Sequence, residues 1–433
     1  MKTIRCLICI FLIALFFCGC NFKVSSSIDD LISPVSPIGD NADVKTALDE
    51  FAVNGYTLKT PAYGKYITSY TFFDIDNDKE DEAVAFYEPN DDLGTIKMAV
   101  IKKQDKKWQV VECIDGIGKD IYSLDFVDIN GAQRKELITC WDVINNSTSH
   151  ELCVYEVGIK KNKISLIMIG ESISVNNYIP VDINEDSLVE LLVFKLGTGS
   201  TSYAAAELCS FKDGNLKTLG ETKLDSHISG YSQLKTEIVD NDIRVYADAV
   251  SSSGSSMLTE IIYWSNSYGT IISPFYSYSS GRTKETSRNA MVPSADINSD
   301  SRIEIPTDYS LKSLPQGIYC INWKAYKNTA FVHTDYSLYS VNDRYNLIIP
   351  DNVIDKISVD YEQKDRILVV SNKKNKKEVF SIIPALKATY KKGDYKGYSV
   401  ILDSQGYYFL AKIGDNSEIN ITIDDLKNCI KTI

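Results

Sequence analysis

The sequence lacks most of the motifs by which catalytic and nucleic-acid-binding proteins are recognised. It has three histidines, His150, His227 and His333, and none lies in H-E-x-x-H or another metal-binding spacing. It has no G-x-S-x-G motif and no glycine loop that would cradle a phosphate. Its formal charge is −12, with no basic cluster that would displace counterions from nucleic acid. These absences argue against zinc hydrolases, serine hydrolases, nucleotide-binding enzymes and nucleic-acid-binding proteins.

The sequence also has few prolines, and its cysteines are few after the first twenty residues. Four of the ten cysteines fall within the first twenty residues, and no C-x-x-C occurs after them. The other six are too dispersed for a disulfide scaffold or a metal cluster, so we expect most of them to be small buried hydrophobic residues. With 11 prolines and 44% hydrophobic residues, the composition is that of a globular protein that buries a core.

The first residues, MKTIRCLICIFLIALFFCGC, have a short basic start and an apolar stretch too short to span a bilayer comfortably. They predict a signal peptide over residues 1–19. The end of this segment resembles the lipobox of bacterial lipoproteins, with Gly19 before Cys20 and Phe17 as a departure from the usual aliphatic residue. That resemblance implies a lipid on Cys20 and a protein anchored on the extracellular face of the cytoplasmic membrane. Simple cleavage and a retained anchor are the alternatives.

Residues 20–60 follow as the lipidated cysteine, a polar tether and one short helix. Val44, Ala47, Leu48 and Phe51 recur at helical spacing, and Gly55 offers a stop. From about residue 61 the pattern changes to short alternating strands bounded by Gly, Asn, Asp and Ser.

An acidic loop recurs through the strand-rich region. FFDIDNDKEDEAVAFY is followed by FVDINGAQRKELITCW, PVDINEDSLVELLVFK and SADINSDSRIEIPTDY. The first aspartates are Asp74, Asp128, Asp182 and Asp296, so the steps are 54, 54 and 114 residues, the last being twice 57. Repeats of this length without helices indicate blades or solenoid turns. We therefore predict a mainly β chain with a β-propeller of about five blade-like repeats over residues 61–340.

Residues 341–433 lack the acidic loop. They offer five strand-like segments and then TIDDLKNCIKTI, where Thr422 and Asp425 resemble a capping box and Leu426, Ile430 and Ile433 form an apolar stripe. We expect a small C-terminal α+β domain. The alternative is two further blades, which would make seven.

Three of the loops carry oxygen side chains at positions one, three, five and nine. Such a loop can wrap around one cation, and Ca²⁺ accepts six to eight oxygen ligands in irregular geometry. It is not an EF-hand, because the glycine at position six and the glutamate at position twelve are missing. The predicted calcium ligands are Asp74, Asp76, Asp78 and Glu82; Asp182, Asn184, Asp186 and Glu190; and Asp296, Asn298, Asp300 and Glu304. The second loop retains Asp128, Asn130 and Glu136 but has Ala132 at position five, so we expect weak binding or none there.

The loop pattern resembles the calcium loops of FG-GAP and VCBS-type repeats, the blades of integrin-alpha-like propellers. The resemblance covers roughly residues 61–310. It implies that each loop ties the first strand of a blade to the second and that the cation is structural. The glycine that the family has after the third acid is replaced by Lys79, Ser187 and Ser301. Acidic β-turns without a metal are the alternative.

The predicted function is binding of a protein or glycan partner at the cell envelope, with no enzymatic activity. Two alternatives stay open: an extracellular polysaccharide hydrolase or lyase with carboxylates hidden among the loops, and a structural accessory lipoprotein. The 27 tyrosines fit either half-buried strand positions or rings presented for stacking on a ligand.

Overall fold

The computed structural model describes residues 39–143, 148–160, 163–197, 203–212, 215–239, 242–415 and 418–432. Over these residues the chain is mainly β, built from successive antiparallel sheets, which confirms the predicted class. The predicted signal peptide, Cys20 and most of the tether lie outside the described residues. Within the described residues, no helix combines the length and apolar character needed to cross a bilayer.

Within the described residues, six sheets of four or five strands follow one another, and we number them sheet 1 to sheet 6. Sheet 1 contains β1 (Tyr56–Lys59), β2 (Tyr70–Phe73), β3 (Glu82–Pro89), β4 (Lys97–Gln104) and β5 (Lys107–Asp115). Sheet 2 contains β6 (Asp120–Val127), β7 (Glu136–Asp142), β8 (His150–Lys160), β9 (Lys163–Met168) and β10 (Ile173–Val175). Sheet 3 contains β11 (Asn177–Val181), β12 (Glu190–Lys195), β13 (Ala204–Lys212) and β14 (Asn215–Leu224).

The second half of the chain continues the pattern. Sheet 4 contains β15 (Ile228–Val239), β16 (Asp242–Ser251), β17 (Met257–Ser265) and β18 (Thr270–Ile272), and is followed by the small hairpin β19 (Tyr276–Ser277) and β20 (Arg282–Thr283). Sheet 5 contains β21 (Glu304–Asp308), β22 (Ile318–Lys327), β23 (Ala330–Ser340), β24 (Tyr345–Ile349) and β30 (Ile430–Thr432). Sheet 6 contains β25 (Ile357–Glu362), β26 (Ile367–Asn372), β27 (Glu378–Leu386), β28 (Ser399–Asp403) and β29 (Tyr407–Ile413).

The central strands are buried on both faces, which explains their nearly continuous apolar runs. On β7, Leu137 and Trp141 pack toward sheet 1, whereas Ile138 and Cys140 pack toward sheet 3. Further apolar clusters join sheet 3 to sheet 4, sheet 4 to sheet 5, and sheet 5 to sheet 6. Each sheet therefore packs face to face on its neighbours in chain order.

A helix covers the free face of sheet 1. Helix α1 (Asp40–Phe51) buries Val44, Ala47 and Leu48 against Ala83, Ala85 and Tyr87 of β3, while the alternate residues of β3 face sheet 2. The predicted helix is confirmed, with Gly55 at a φ of 80° beyond its end. Phe51, predicted to lie on the apolar face, is 50% exposed.

The C-terminal residues form sheet 6, two short helices, α2 (Asp351–Ile354) and α3 (Ile423–Cys429), and the strands β24 and β30 of sheet 5. The predicted capping box is present: Thr422 accepts from the amide of Asp425, and the Asp425 carboxylate accepts from the amide of Thr422. Leu426 is buried as predicted, but Ile430 lies in β30 instead of the helix, because the chain there pairs with β24. Sheets 5 and 6 share one apolar cluster, so the C-terminal stretch packs directly on the repeat region.

Most of the six cysteines after Cys20 are buried, as predicted. Cys140, Cys153, Cys209 and Cys320 are buried, and none of the cysteines in the described part of the chain forms a disulfide. Burial raises the pKa of the Cys153 thiol to about 11, so this thiol is protonated and unreactive at neutral pH.

Candidate metal loops

The four acidic loops occupy equivalent places in four sheets. The first joins β2 to β3, the second β6 to β7, and the third β11 to β12. The fourth lies between Ala295, which forms a β-bridge with Glu304, and the start of β21. In each loop the glutamate at position nine is the first residue of the second strand, and it is almost completely buried. Sheet 4 carries no such loop among its described residues.

The loops also share one backbone conformation. Positions four and six have positive φ in all four, a conformation that costs a side chain about 1 kcal/mol or more and persists only where its surroundings fix it. At position six stand Lys79 (75°), Gln133 (63°), Ser187 (72°) and Ser301 (68°). These residues therefore adopt the conformation expected of the glycine that the repeat families carry after the third acid.

Side chains of the loop hold this conformation. The aspartate at position one accepts from the amide at position six in every loop, as Asp296 does from Ser301 at 3.0 Å. The glutamate at position nine accepts from the amide of the isoleucine at position two, as Glu304 does from Ile297 at 3.0 Å. That isoleucine is buried each time, so an apolar residue anchors the loop to the sheet.

The fourth loop brings its carboxylate oxygens together, as the first loop does with Asp74, Asp76 and Asp78. One ligand oxygen from each of Asp296, Asp300 and Glu304 lies within 4.8 Å of the others. Glu304 is 0% exposed, and its Oε1 atom is buried without a hydrogen-bond partner. Asp335 of β23 lies beside the loop and accepts from Asn298 Nδ2 at 3.3 Å. Burial and the negative charges of Asp300 and Asp296 raise the pKa of Glu304 to about 7, the effect expected of carboxylates that face one another without a cation.

The third loop has the same backbone conformation, but the side-chain amide of its asparagine donates to the loop carboxylates. Asn184 donates Nδ2 to Asp186 Oδ2 at 3.1 Å and to Glu190 Oε1 at 3.0 Å. Its Oδ1 accepts from the amide of Asp186 at 3.0 Å, so turning this oxygen toward a cation would break that hydrogen bond. Burial, followed by the charge of Asp186, raises the pKa of Glu190 to about 7.

The first loop differs because a lysine enters it. The ammonium of Lys102, on β4, donates to Asp76 Oδ2 at 2.6 Å, to Asp78 Oδ2 at 2.6 Å and to Glu82 Oε1 at 2.7 Å. Burial lowers the pKa of Lys102, but the three carboxylates outweigh that effect and raise it overall. The hydrogen bond from Lys102 in turn lowers the pKa of Asp78.

The second loop satisfies itself without a third acid. Asn130 donates Nδ2 to Glu136 Oε1 at 2.6 Å, and its Oδ1 accepts from the amide of Ala132 at 2.7 Å. Asp128 retains one buried oxygen without a partner. The predicted ligands Asp128, Asn130 and Glu136 are thus brought together, with fewer oxygens than in the third and fourth loops.

Sequence reasoning missed three residues that meet the loops from other strands. Lys102 enters the first loop, Asp335 lies against the fourth, and Lys431 donates to the Ile297 carbonyl at 2.7 Å and to Ser299 Oγ at 3.2 Å. Each lies at least twenty residues from its loop. The one signal in the sequence was a lysine, Lys102, in the strand that follows the strand of Glu82. Pairing the two residues from the sequence would have required the β3–β4 register.

Sheet 4 holds a different group of acids. Glu260 is fully buried, and its carboxylate accepts from the amide of Asp225 at 2.8 Å, from Thr283 Oγ1 at 3.0 Å and from Ser273 Oγ at 3.0 Å. Since protein donors surround it and solvent does not reach it, Glu260 is placed to hold the structure together.

We expect Glu260 to make the protein less stable as the pH rises. Burial raises its pKa to about 7 from an ordinary 4.5, so the folded state binds the proton more tightly. That stability is fully present below pH 4.5, falls as the pH rises from 4.5 to 7, and amounts to about 3 kcal/mol. Denaturant unfolding at pH 5 and pH 8 should show that Glu260→Gln removes this part of the loss.

The exposed Glu285 offers the matched control for that measurement. Glu285→Gln should leave the pH dependence of the unfolding free energy unchanged. The assignment to Glu260 would be wrong if Glu260→Gln and the wild-type protein lost the same stability between the two pH values, because other titrating groups contribute equally to both.

No protein-family model matches the chain, and no curated protein shows significant similarity to it.

Proposed function

We propose that this chain is a binding protein whose β-sheets are fastened by structural Ca²⁺ in the third and fourth acidic loops. The observation that carries the proposal is Glu304, a carboxylate at 0% exposure with one oxygen unpaired, facing Asp296 and Asp300. A buried carboxylate oxygen without a partner is costly, and a cation would offset that cost. The donors are all carboxylate and amide oxygens, which suits Ca²⁺ and not a soft metal.

The residues that would hold the ion follow from the loop positions. In the fourth loop they are Asp296, Asn298, Asp300 and Glu304. In the third they are Asp182, Asn184, Asp186 and Glu190. The ion would neutralise the carboxylates and tie the first strand of each sheet to the second, so its contribution is stability and not chemistry.

The arrangement of the chain is part of the same proposal. We take the successive sheets, four of which carry an acidic loop, as blades of the propeller type found in FG-GAP and VCBS-type proteins. The signal segment supports attachment through a lipid on Cys20, with the sheets on the extracellular face of the cytoplasmic membrane. Extracellular calcium, at about 1 mM, would load sites of the kind that extracellular modules use.

One groove has the chemistry of a partner-binding surface. It lies at the end of sheet 3 remote from the third loop, has a volume of about 630 Å³, and is lined by residues that include Asn176, Lys195, Tyr203, Glu207 and Glu221. Lys195 donates to both oxygens of Glu207, at 2.8 and 2.7 Å. A tyrosine ring beside amide and carboxylate groups fits a glycan, whose C–H faces stack on aromatic rings and whose hydroxyls pair with polar groups.

Screening the protein on a glycan array tests this role. We expect binding to a glycan class that Tyr203→Ala reduces by up to about tenfold, because the sugar would stack on the ring face that is not covered by the Lys223 ammonium. Tyr268, which is 77% exposed and lies outside the lining of this groove, gives the matched control: Tyr268→Ala should bind like the wild type. Equal loss in both variants, or no glycan binding by the folded protein, would contradict glycan recognition here. Turnover of a polysaccharide would favour the hydrolase alternative.

A further inference from the structure

Lys102 occupies the first loop as an ion would. Its side chain is 13% exposed, and its ammonium lies 2.6 to 2.7 Å from oxygens of Asp76, Asp78 and Glu82. These are the residues at positions three, five and nine, which the sequence pattern assigns to a cation. Asp74, at position one, is taken up by the amides of Asp78 and Lys79.

Among the described residues, the first loop is the one whose carboxylates accept from a lysine, and the strand register explains why. Ala83 pairs with Ile101, so Glu82 lies opposite Lys102 in the next pair of the ladder. The same step places Glu156 opposite Glu136 in sheet 2 and Ser210 opposite Glu190 in sheet 3, and Ala325 pairs directly with Glu304 in sheet 5. One structural position therefore carries Lys, Glu, Ser and Ala in the four sheets, and only the first supplies a positive charge.

A second cation would meet resistance in the first loop. The ammonium is within hydrogen-bond distance of all three carboxylates, and two positive charges among the same ligands repel each other, most strongly beside the buried Glu82. Calcium would have to displace Lys102, which would break three charge-assisted hydrogen bonds.

We infer that Lys102 is the resident cation of the first loop, so that sheet 1 is fastened without metal while the third and fourth loops depend on Ca²⁺. This rests on the proposed function for the calcium content of the latter two loops. The chain would thus neutralise its loop carboxylates in two ways, with a lysine in sheet 1 and with Ca²⁺ in sheets 3 and 5. Sheet 1 would keep its loop closed at calcium concentrations that empty the other loops.

Counting bound Ca²⁺ by equilibrium dialysis tests the inference. Asp78 and Asp300 stand at the same position of their loops, so they form a matched pair. We expect Asp78→Ala to leave the number of bound ions unchanged and Asp300→Ala to lower it by one. Lys102→Ser, which copies the residue at the equivalent position of sheet 3, should raise the number by one, because the three carboxylates are then free to bind an ion.

The outcomes separate this inference from the proposed function. A count that falls in Asp78→Ala, or that fails to rise in folded Lys102→Ser, would overturn the role of Lys102. A wild-type protein that binds no calcium, with one ion gained in Lys102→Ser, would refute the proposed calcium sites and support the resident lysine. If Lys102→Ser does not fold, the comparison of Asp78→Ala with Asp300→Ala decides by itself.

Discussion

Chelating calcium is expected to lower the thermal midpoint of the protein by several degrees. At about 1 mM free Ca²⁺ and a Kd of about 0.1 mM, each occupied site stabilises the folded state by about 1.4 kcal/mol. Two sites contribute about 3 kcal/mol, a large share of the stability of an ordinary domain. The measurement is a thermal scan at about 1 mM Ca²⁺ and again with chelator.

Loop variants assign the effect to particular sites. Asp182→Ala together with Asp296→Ala should abolish the calcium-dependent rise, since each loses the carboxylate that holds positions five and six of its loop. Asp74→Ala is the matched control at position one, and it should keep the rise because Lys102 already neutralises the first loop. A folded wild-type protein with the same midpoint in both conditions would reduce the loops to acidic turns and make their carboxylates candidates for catalysis again.

The loops were predictable because their information is local. Nine consecutive positions contain the ligands and the buried isoleucine at position two, and a strand begins at the ninth. The structure places all four loops at the same point of their sheets. The capping box of α3 is local in the same sense, as three residues separate Thr422 from Asp425. Such features follow from side-chain hydrogen bonds to nearby backbone groups and need no knowledge of the fold.

The residues that the sequence did not predict reach the loops from other strands, so their positions depend on the strand register. Lys102 reaches Glu82 because β3 and β4 pair with Ala83 opposite Ile101, and a shift of one residue would direct its side chain to the other face. Asp335 reaches the fourth loop from β23, across two strands of sheet 5. The sequence pattern predicts that strands exist, but the pairing that joins distant residues is settled by the packing of whole sheets.

Prediction failed for similar reasons at the C-terminus. The spacing of Leu426, Ile430 and Ile433 is helical, yet the helix ends at Cys429 and Ile430 begins a strand. Pairing of Leu347 with Ile430 in sheet 5 provides ladder hydrogen bonds that outweigh a short helix's weak intrinsic preference. Ile430 is buried, as its place in the apolar stripe predicts, but its backbone is extended and not helical.

Sheet 4, which has no acidic loop among its described residues, contains a buried ion pair. Arg288 Nη2 lies 2.9 Å from Asp248 Oδ1, and both side chains are 0% exposed. The other oxygen of Asp248 accepts from the amide and the hydroxyl of Ser294, each at 2.8 Å, while Arg288 Nε donates to the Val292 carbonyl at 2.7 Å. The pair thereby fixes the segment that leads into the fourth loop, whose first ligand follows Ser294 by two residues.

Arg288→Met is therefore expected to destabilise the protein by about 3 to 5 kcal/mol, because it leaves the Asp248 carboxylate buried without its counter-charge. Denaturant unfolding gives this value, and Lys427→Met is the comparison, since its partner Asp424 is 84% exposed and such a pair contributes about 1 kcal/mol at most. Adding Asp248→Leu to Arg288→Met should recover part of the loss, because the unpaired charge is then removed. If Arg288→Met cost no more than Lys427→Met, the pair would not be what anchors this segment. If the loss is large and calcium binding at the fourth loop weakens with it, the ion pair and the metal loop stabilise the same junction between sheets 4 and 5.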